Sequence, residues 1–214
     1  MLINQKKTKT MIFNFTQNYK FTTRMKLNGE TVEVVPEQKL LGTIIQNDLK
    51  WVSNTSNLVK RANARMRLLH KLSEFKAPQE DLKTIYISYI RSILEQSSVV
   101  WHSSLTIQNE EDLERVQKSA LKIILKRKYV SYDKACILLN LDTLKNRRQM
   151  LCLGFAQKSV KNGSMNFEKN QKVHTMETRN MELFQVTHCN TERLKCSSIP
   201  HMQMLLNENI PKAS

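Results

Sequence analysis

From about residue 53 onward the apolar residues of this chain recur at steps of three and four, which commits most of it to amphipathic helices around a shared core. Leu58, Ala62, Met66, Leu69 and Leu72 form the first stripe. Pro78 suits the first turn of a second helix, and Glu80 and Asp81 favour its positive N-terminal end. Its wide apolar face is Leu82, Ile85, Tyr86, Tyr89, Ile90, Ile93 and Leu94. A third helix is predicted from near Asn109, led by Glu110, Glu111 and Asp112, with Leu113, Val116, Ala120, Ile123 and Ile124 inward. A short helix follows around Tyr132 to Leu139, and a last clear helix starts after Asp142 as N-cap and ends before Gly163. Gly and Pro number only 4 each, as expected of long helices with few corners.

Residues 1–51 carry a different signal. Met11-Ile12-Phe13-Asn14-Phe15 is a short apolar run, and Asn28-Gly29 sits between alternating segments, a hairpin signature because both residues tolerate positive φ. Leu40-Leu41-Gly42-Thr43-Ile44-Ile45 reads as another strand. Residues 164–214 are polar, Asn- and Thr-rich and weakly periodic. The fold expected is therefore mainly α: a short antiparallel β remnant over 1–51, a helical bundle over 52–163, and a loose C-terminal tail over 164–214 with a short helix near Ser198 to Leu206.

Charge narrows the partners. Lys and Arg number 34 against 19 Asp and Glu, a net charge of +15. Such a balance calls for a polyanion, an acidic partner or an anionic membrane surface. The cations are organised. Lys60, Arg61, Arg65, Arg67 and Lys71 fall on two neighbouring faces of the first helix. Lys118, Lys122, Lys126, Arg127 and Lys128 extend the third, and Lys145, Arg147, Arg148, Lys158 and Lys161 cover the last. Faces of this kind suit phosphate contacts, which hold a nucleic-acid backbone without reading its sequence. Trp51, Tyr86, Tyr89 and Trp101 are expected in the core rather than as a platform for stacked bases.

No stretch approaches a membrane span, and Met1 to Lys7 turns polar too early for a secretion signal, so an intracellular setting, nucleus or cytoplasm, is expected. Cys136 and Cys152 lie in apolar helical settings that suit buried free thiols, and nothing suggests a disulfide framework. No metal site is expected. His188, Cys189, Cys196 and His201 lie close together, but they lack Cys-x-x-Cys spacing, and adjacent His188 and Cys189 make an awkward zinc pair.

Several segments, read in order, match one pattern. Asn4-Gln5-Lys6-Lys7-Thr8-Lys9-Thr10-Met11-Ile12-Phe13 resembles the Asn-x-x-Lys-Thr stretch entering the last palm strands of non-LTR retrotransposon reverse transcriptases of the jockey-like kind. Lys39 to Ile45, followed by Asp48-Leu49-Lys50-Trp51, resembles the Leu-Gly motif that turns back beneath the primer terminus. Ile85-Tyr86 through Glu95, then Ser98 to Trp101, looks like the thumb helix, and Leu113 to Leu121 looks like the helix after it. The resemblance covers roughly residues 1–160, with fainter echoes near Ser198 to Asn207.

The resemblance implies an RNA-directed DNA polymerase as parent, with Mg²⁺ held by palm aspartates. Those aspartates would lie upstream of Met1, so this chain alone is expected to be inactive, with no catalytic residue and no cofactor of its own. By matching position Lys7 would lie near the incoming nucleotide. The remaining carboxylate clusters, Glu110-Glu111-Asp112, Glu80-Asp81 and Glu30, Glu33 and Glu37, read as helix-end or surface charges. The partner expected is RNA or DNA through its phosphate backbone, with no small-molecule substrate. The competing readings are a co-opted interaction protein that docks an acidic partner, and a non-functional translated relic.

Overall fold

A computed structural model describes residues 4, 7–15, 24–165, 167 and 184–209. The chain is mainly α and divides into two compact units, residues 1–57 and 58–214.

The first unit holds three two-stranded ladders. Strands β2 (Lys26–Leu27) and β3 (Glu30–Thr31) form the expected hairpin, with Asn28 and Gly29 at φ 51° and 84°. Positive φ at both central residues matches the right-handed twist of the strands. Two expectations are corrected here. β1 (Lys9–Thr10) pairs with β4 (Glu33–Val34) in parallel, so the remnant is not purely antiparallel. Leu40 to Ile45 is not one strand but a second hairpin, β5 (Glu37–Leu40) and β6 (Thr43–Gln46), turning at Leu41 and Gly42 with φ 49° and 89°. Leucine rarely adopts that conformation because its Cβ crowds the backbone, and so the turn was not legible. Helix α1 (Val52–Glu74) begins in this unit. Its first turn is capped from β6, because the Gln46 side-chain carbonyl accepts the Ser53 N–H at 2.9 Å.

The second unit is a helical bundle. The α1 stripe Leu58, Ala62, Met66 and Leu69 is buried as the periodicity predicts. α2 (Gln79–Ile85), a π-turn over Tyr86–Arg91 and α3 (Ser92–Leu94) run on from one another, with Pro78 as N-cap rather than in the first turn. Along this stretch the hydroxyls of Thr84, Ser88 and Ser92 donate to carbonyls four residues earlier and compete with the backbone ladder. Leu82, Tyr86, Ile90, Ile93 and Leu94 are buried, but Tyr89 is 41% exposed and leaves the predicted face.

After α4 (Ser98–Trp101) and one 3₁₀ turn (His102–Ser104), α5 (Ile107–Leu125) starts earlier than expected because the Thr106 hydroxyl caps Asn109 N–H. α5 lies at the centre. It packs against α2, α6 (Tyr132–Leu139) and α7 (Leu144–Lys161), and its Ile123 carbonyl accepts from Ser73 of α1. Burial of Leu113, Val116, Gln117, Ala120, Leu121, Ile124 and Leu125 gives it a wider inward arc than one stripe. The N-cap of α7 is Thr143, not Asp142, whose carbonyl instead accepts from Gln117. Gly163 at φ 63° follows its C-cap, as expected of a C′ glycine.

In the C-terminal segment, α8 (Glu192–Lys195) and α9 (Ser198–Glu208) are present where one short helix was expected. α9 packs on α7, burying Met202, Leu205 and Leu206 against Cys152, Leu153, Ala156, Phe167 and Phe184. Residues 166, 168–183 and 210–214 of the predicted tail lie outside the described residues.

Candidate nucleic-acid interface

The predicted cations divide by what they touch. On α1, Lys60, Arg67 and Lys71 are exposed, with no hydrogen-bond or ion-pair partner among the described residues. Arg61 donates to the Gln96 side chain at 2.9 Å. Arg65 donates to the Tyr89 carbonyl at 2.7 Å, and its guanidinium lies 4.1 Å from the Tyr89 ring centroid. On α5, Lys118 and Lys122 are exposed, each with its ammonium over a tyrosine ring, Tyr132 at 5.2 Å and Tyr129 at 5.5 Å. On α7, Lys145 pairs with Glu110 at 2.9 Å and Arg147 with Glu95 at 2.9 Å, so both serve contacts between helices.

Arg148 corrects its prediction. It is 0% exposed and cannot touch a phosphate in this arrangement. It stands on the inward stripe of α7 with Leu144, Cys152 and Ala156, at four-residue steps and all buried, and α4, α5 and α9 pack on that helix.

Lys76, Lys122 and Lys126 meet at one place. An open groove of about 510 Å³ runs between the C-terminal ends of α1 and α5, lined by His70, Ser73, Glu74 and Lys76 on one side and Lys122, Ile123 and Lys126 on the other. Helix C-termini carry partial negative charge, so cations there first answer the helix dipoles. Lys126 does this directly, donating its ammonium to the Ser73 carbonyl at 2.7 Å. Lys76 and Lys122 have no ion-pair partner among the described residues, and Glu74 is the one acid lining the groove. Lys76 and Lys126 both adopt positive φ, 58° and 49°. Neither the convergence of helix ends nor the role of Lys76 was predictable from periodicity.

The chain is not similar to any protein in the three comparisons: no family model, no curated protein and no solved structure matches it.

The remaining candidates are scattered. Lys7 is exposed, and its backbone N–H donates to the Asn4 carbonyl at 3.1 Å. Glu33 pairs with Lys9, Glu110 with Lys145, and Asp112 with Arg115. His188 and Cys196 are exposed, Cys189 donates to the Thr187 carbonyl, and His201 turns its ring toward His102. Among the described residues no group of three or more His, Cys, Asp or Glu could hold a metal ion. No helix of the described residues is long and apolar enough to cross a membrane.

Two buried polar assemblies were not anticipated. Gln117, inside the apolar arc of α5, accepts from the Tyr86 hydroxyl and donates to the Tyr132 hydroxyl at 2.8 Å and the Asp142 carbonyl at 2.9 Å. A glutamine four residues from Leu113 and Leu121 was the available signal. The second assembly joins Arg148, His102 and His201 beside α9.

Proposed function

We propose that this chain is a helical module derived from a non-LTR reverse transcriptase that binds RNA or DNA through phosphate contacts. The order of the segments from Asn4 to Leu121 supports the derivation. The groove supports the binding: Lys76, just beyond the end of α1, and Lys122 of α5 line it from two sides, and Lys60, Arg67 and Lys71 extend positive charge along α1. The tyrosines beneath Arg65 and Lys122 stiffen those side chains, which lowers the entropy lost on binding.

The test is a fluorescence-anisotropy titration of labelled duplex DNA and single-stranded RNA at several salt concentrations. If about five phosphates are neutralised, log affinity falls with log salt at a slope of about −4. Competition by unlabelled tRNA and by an acidic polypeptide separates a nucleic-acid module from one that docks an acidic protein. Absence of binding at low salt, or binding indifferent to salt, rejects the reading.

A further inference from the structure

The buried guanidinium of Arg148 lacks the acceptors a charge in that position needs. It is 0% exposed, and both of its terminal amino groups are without a hydrogen-bond partner among the described residues. Its Nε donates to His102 Nδ1 at 3.4 Å, and its Cζ lies 5.9 Å from the Trp101 ring centroid. Glu114, Glu110 and Glu95 reach it only through space. With Nδ1 as acceptor, the imidazole of His102 is neutral and carries its hydrogen on Nε2.

His102 is itself covered by α9. It is 6% exposed, and the His201 ring meets it edge to face, with centroids 5.9 Å apart. Among the described residues the Nε2 of His201 is buried without a hydrogen-bond partner, as is the hydroxyl of Ser103, next to His102 in sequence. Around this polar spot the segment is held by ordinary contacts. Gln203 accepts from Thr187, Asn207 makes two bonds to the Phe184 backbone, and Ser104 donates to the Cys196 carbonyl. Every charged group facing His102 is a cation or can become one: Arg148 and Lys145 from α7 and His201 from α9. Glu208, on α9, is the acid that acts on His201.

We propose that residues 184–209 form an acid-released latch, seated on α7 and the His102 turn while His102 is neutral and lifted when His102 takes a proton beside Arg148. The direction follows from the environment. Burial, then Arg148, His201 and Lys145, push His102 from 6.5 down to about 3 in the seated state, and burial lowers His201 as well. Groups held down in this way stabilise the seated state fully above their ordinary value and lose that contribution as pH falls below it. Between about pH 7.5 and about pH 5, one histidine with an ordinary value when released raises the opening equilibrium about 30-fold.

Hydrogen exchange of the full chain, corrected for the intrinsic pH dependence of exchange, reads this directly. Amides of α9 should lose protection about 30-fold over that interval, while amides of α5 in the same sample keep theirs. His102→Gln keeps an acceptor but cannot titrate, and it should flatten most of the α9 response. Arg148→Met removes the neighbouring cation and should shift opening to lower pH, which keeps the idea testable if the glutamine variant misfolds. Unchanged α9 protection in the wild-type chain overturns the proposal. So does loss of α5 and α9 protection together, which would report global unfolding, or an undiminished response in both variants.

Discussion

Glu114 of α5 accepts the backbone N–H of Lys145 at 2.7 Å, across 31 residues of sequence. The same carboxylate accepts the Leu144 N–H at 3.3 Å and the Tyr132 hydroxyl. It therefore completes the cap that Thr143 begins at the α7 N-terminus and ties α5, α6 and α7 together. A negative group at a helix N-terminus is also favoured by the dipole. Glu114→Ala leaves these donors unmet and should cost about 2–3 kcal/mol. Thermal melting followed by circular dichroism should show a midpoint lowered by about 5–10 °C. A midpoint within about 1 °C of wild type would mean that water replaces the carboxylate without loss.

Gln117 is the matching test in the core. Gln117→Leu strands the Tyr86 hydroxyl and the Asp142 carbonyl and should cost about 2–4 kcal/mol, whereas Tyr86→Phe removes one donor and should cost about 1–2 kcal/mol. Because the two share a bond, the double variant should lose less than the sum of the singles. Strict additivity in urea denaturation would show that the bond carries no coupling.

Lys76 separates stability from binding. At φ 58° a glycine meets no Cβ penalty, so Lys76→Gly should leave stability unchanged or raise it by up to about 1 kcal/mol. The same change removes one groove cation, so it should weaken nucleic-acid binding and reduce the magnitude of the salt slope by about 1. A variant that binds as wild type would remove the groove from the interface.

The thiols should react in a definite order. Cys196 is exposed, while Cys136 and Cys152 are buried, and burial pushes the Cys152 thiol up to about 11. Iodoacetamide at neutral pH should alkylate Cys196 first and reach Cys136 and Cys152 only on unfolding, as peptide mass spectrometry would record. Early modification of Cys152 would contradict the packing of α9 on α7.

How far the sequence carried can be judged residue by residue. The stripe from Leu58 to Leu69, the Asn28-Gly29 turn, the span of α6 and the stop at Gly163 were legible, because each follows from local periodicity or from the φ preference of one residue. The hairpin at Leu41 was not, because it places leucine where glycine or asparagine is favoured. Other features depended on which helices meet. Arg148 groups with the cations of α7 by its charge, but it stands four residues from both Leu144 and Cys152, on the stripe that packing turned inward against His102. Likewise Lys76 and Lys122 lie far apart in sequence and came to line one groove only when α1 packed on α5. A sequence determines the rotation of each side chain about its own helix axis; which helix covers that side, and so whether a charge meets water, a carboxylate or an imidazole, is decided by packing between distant segments.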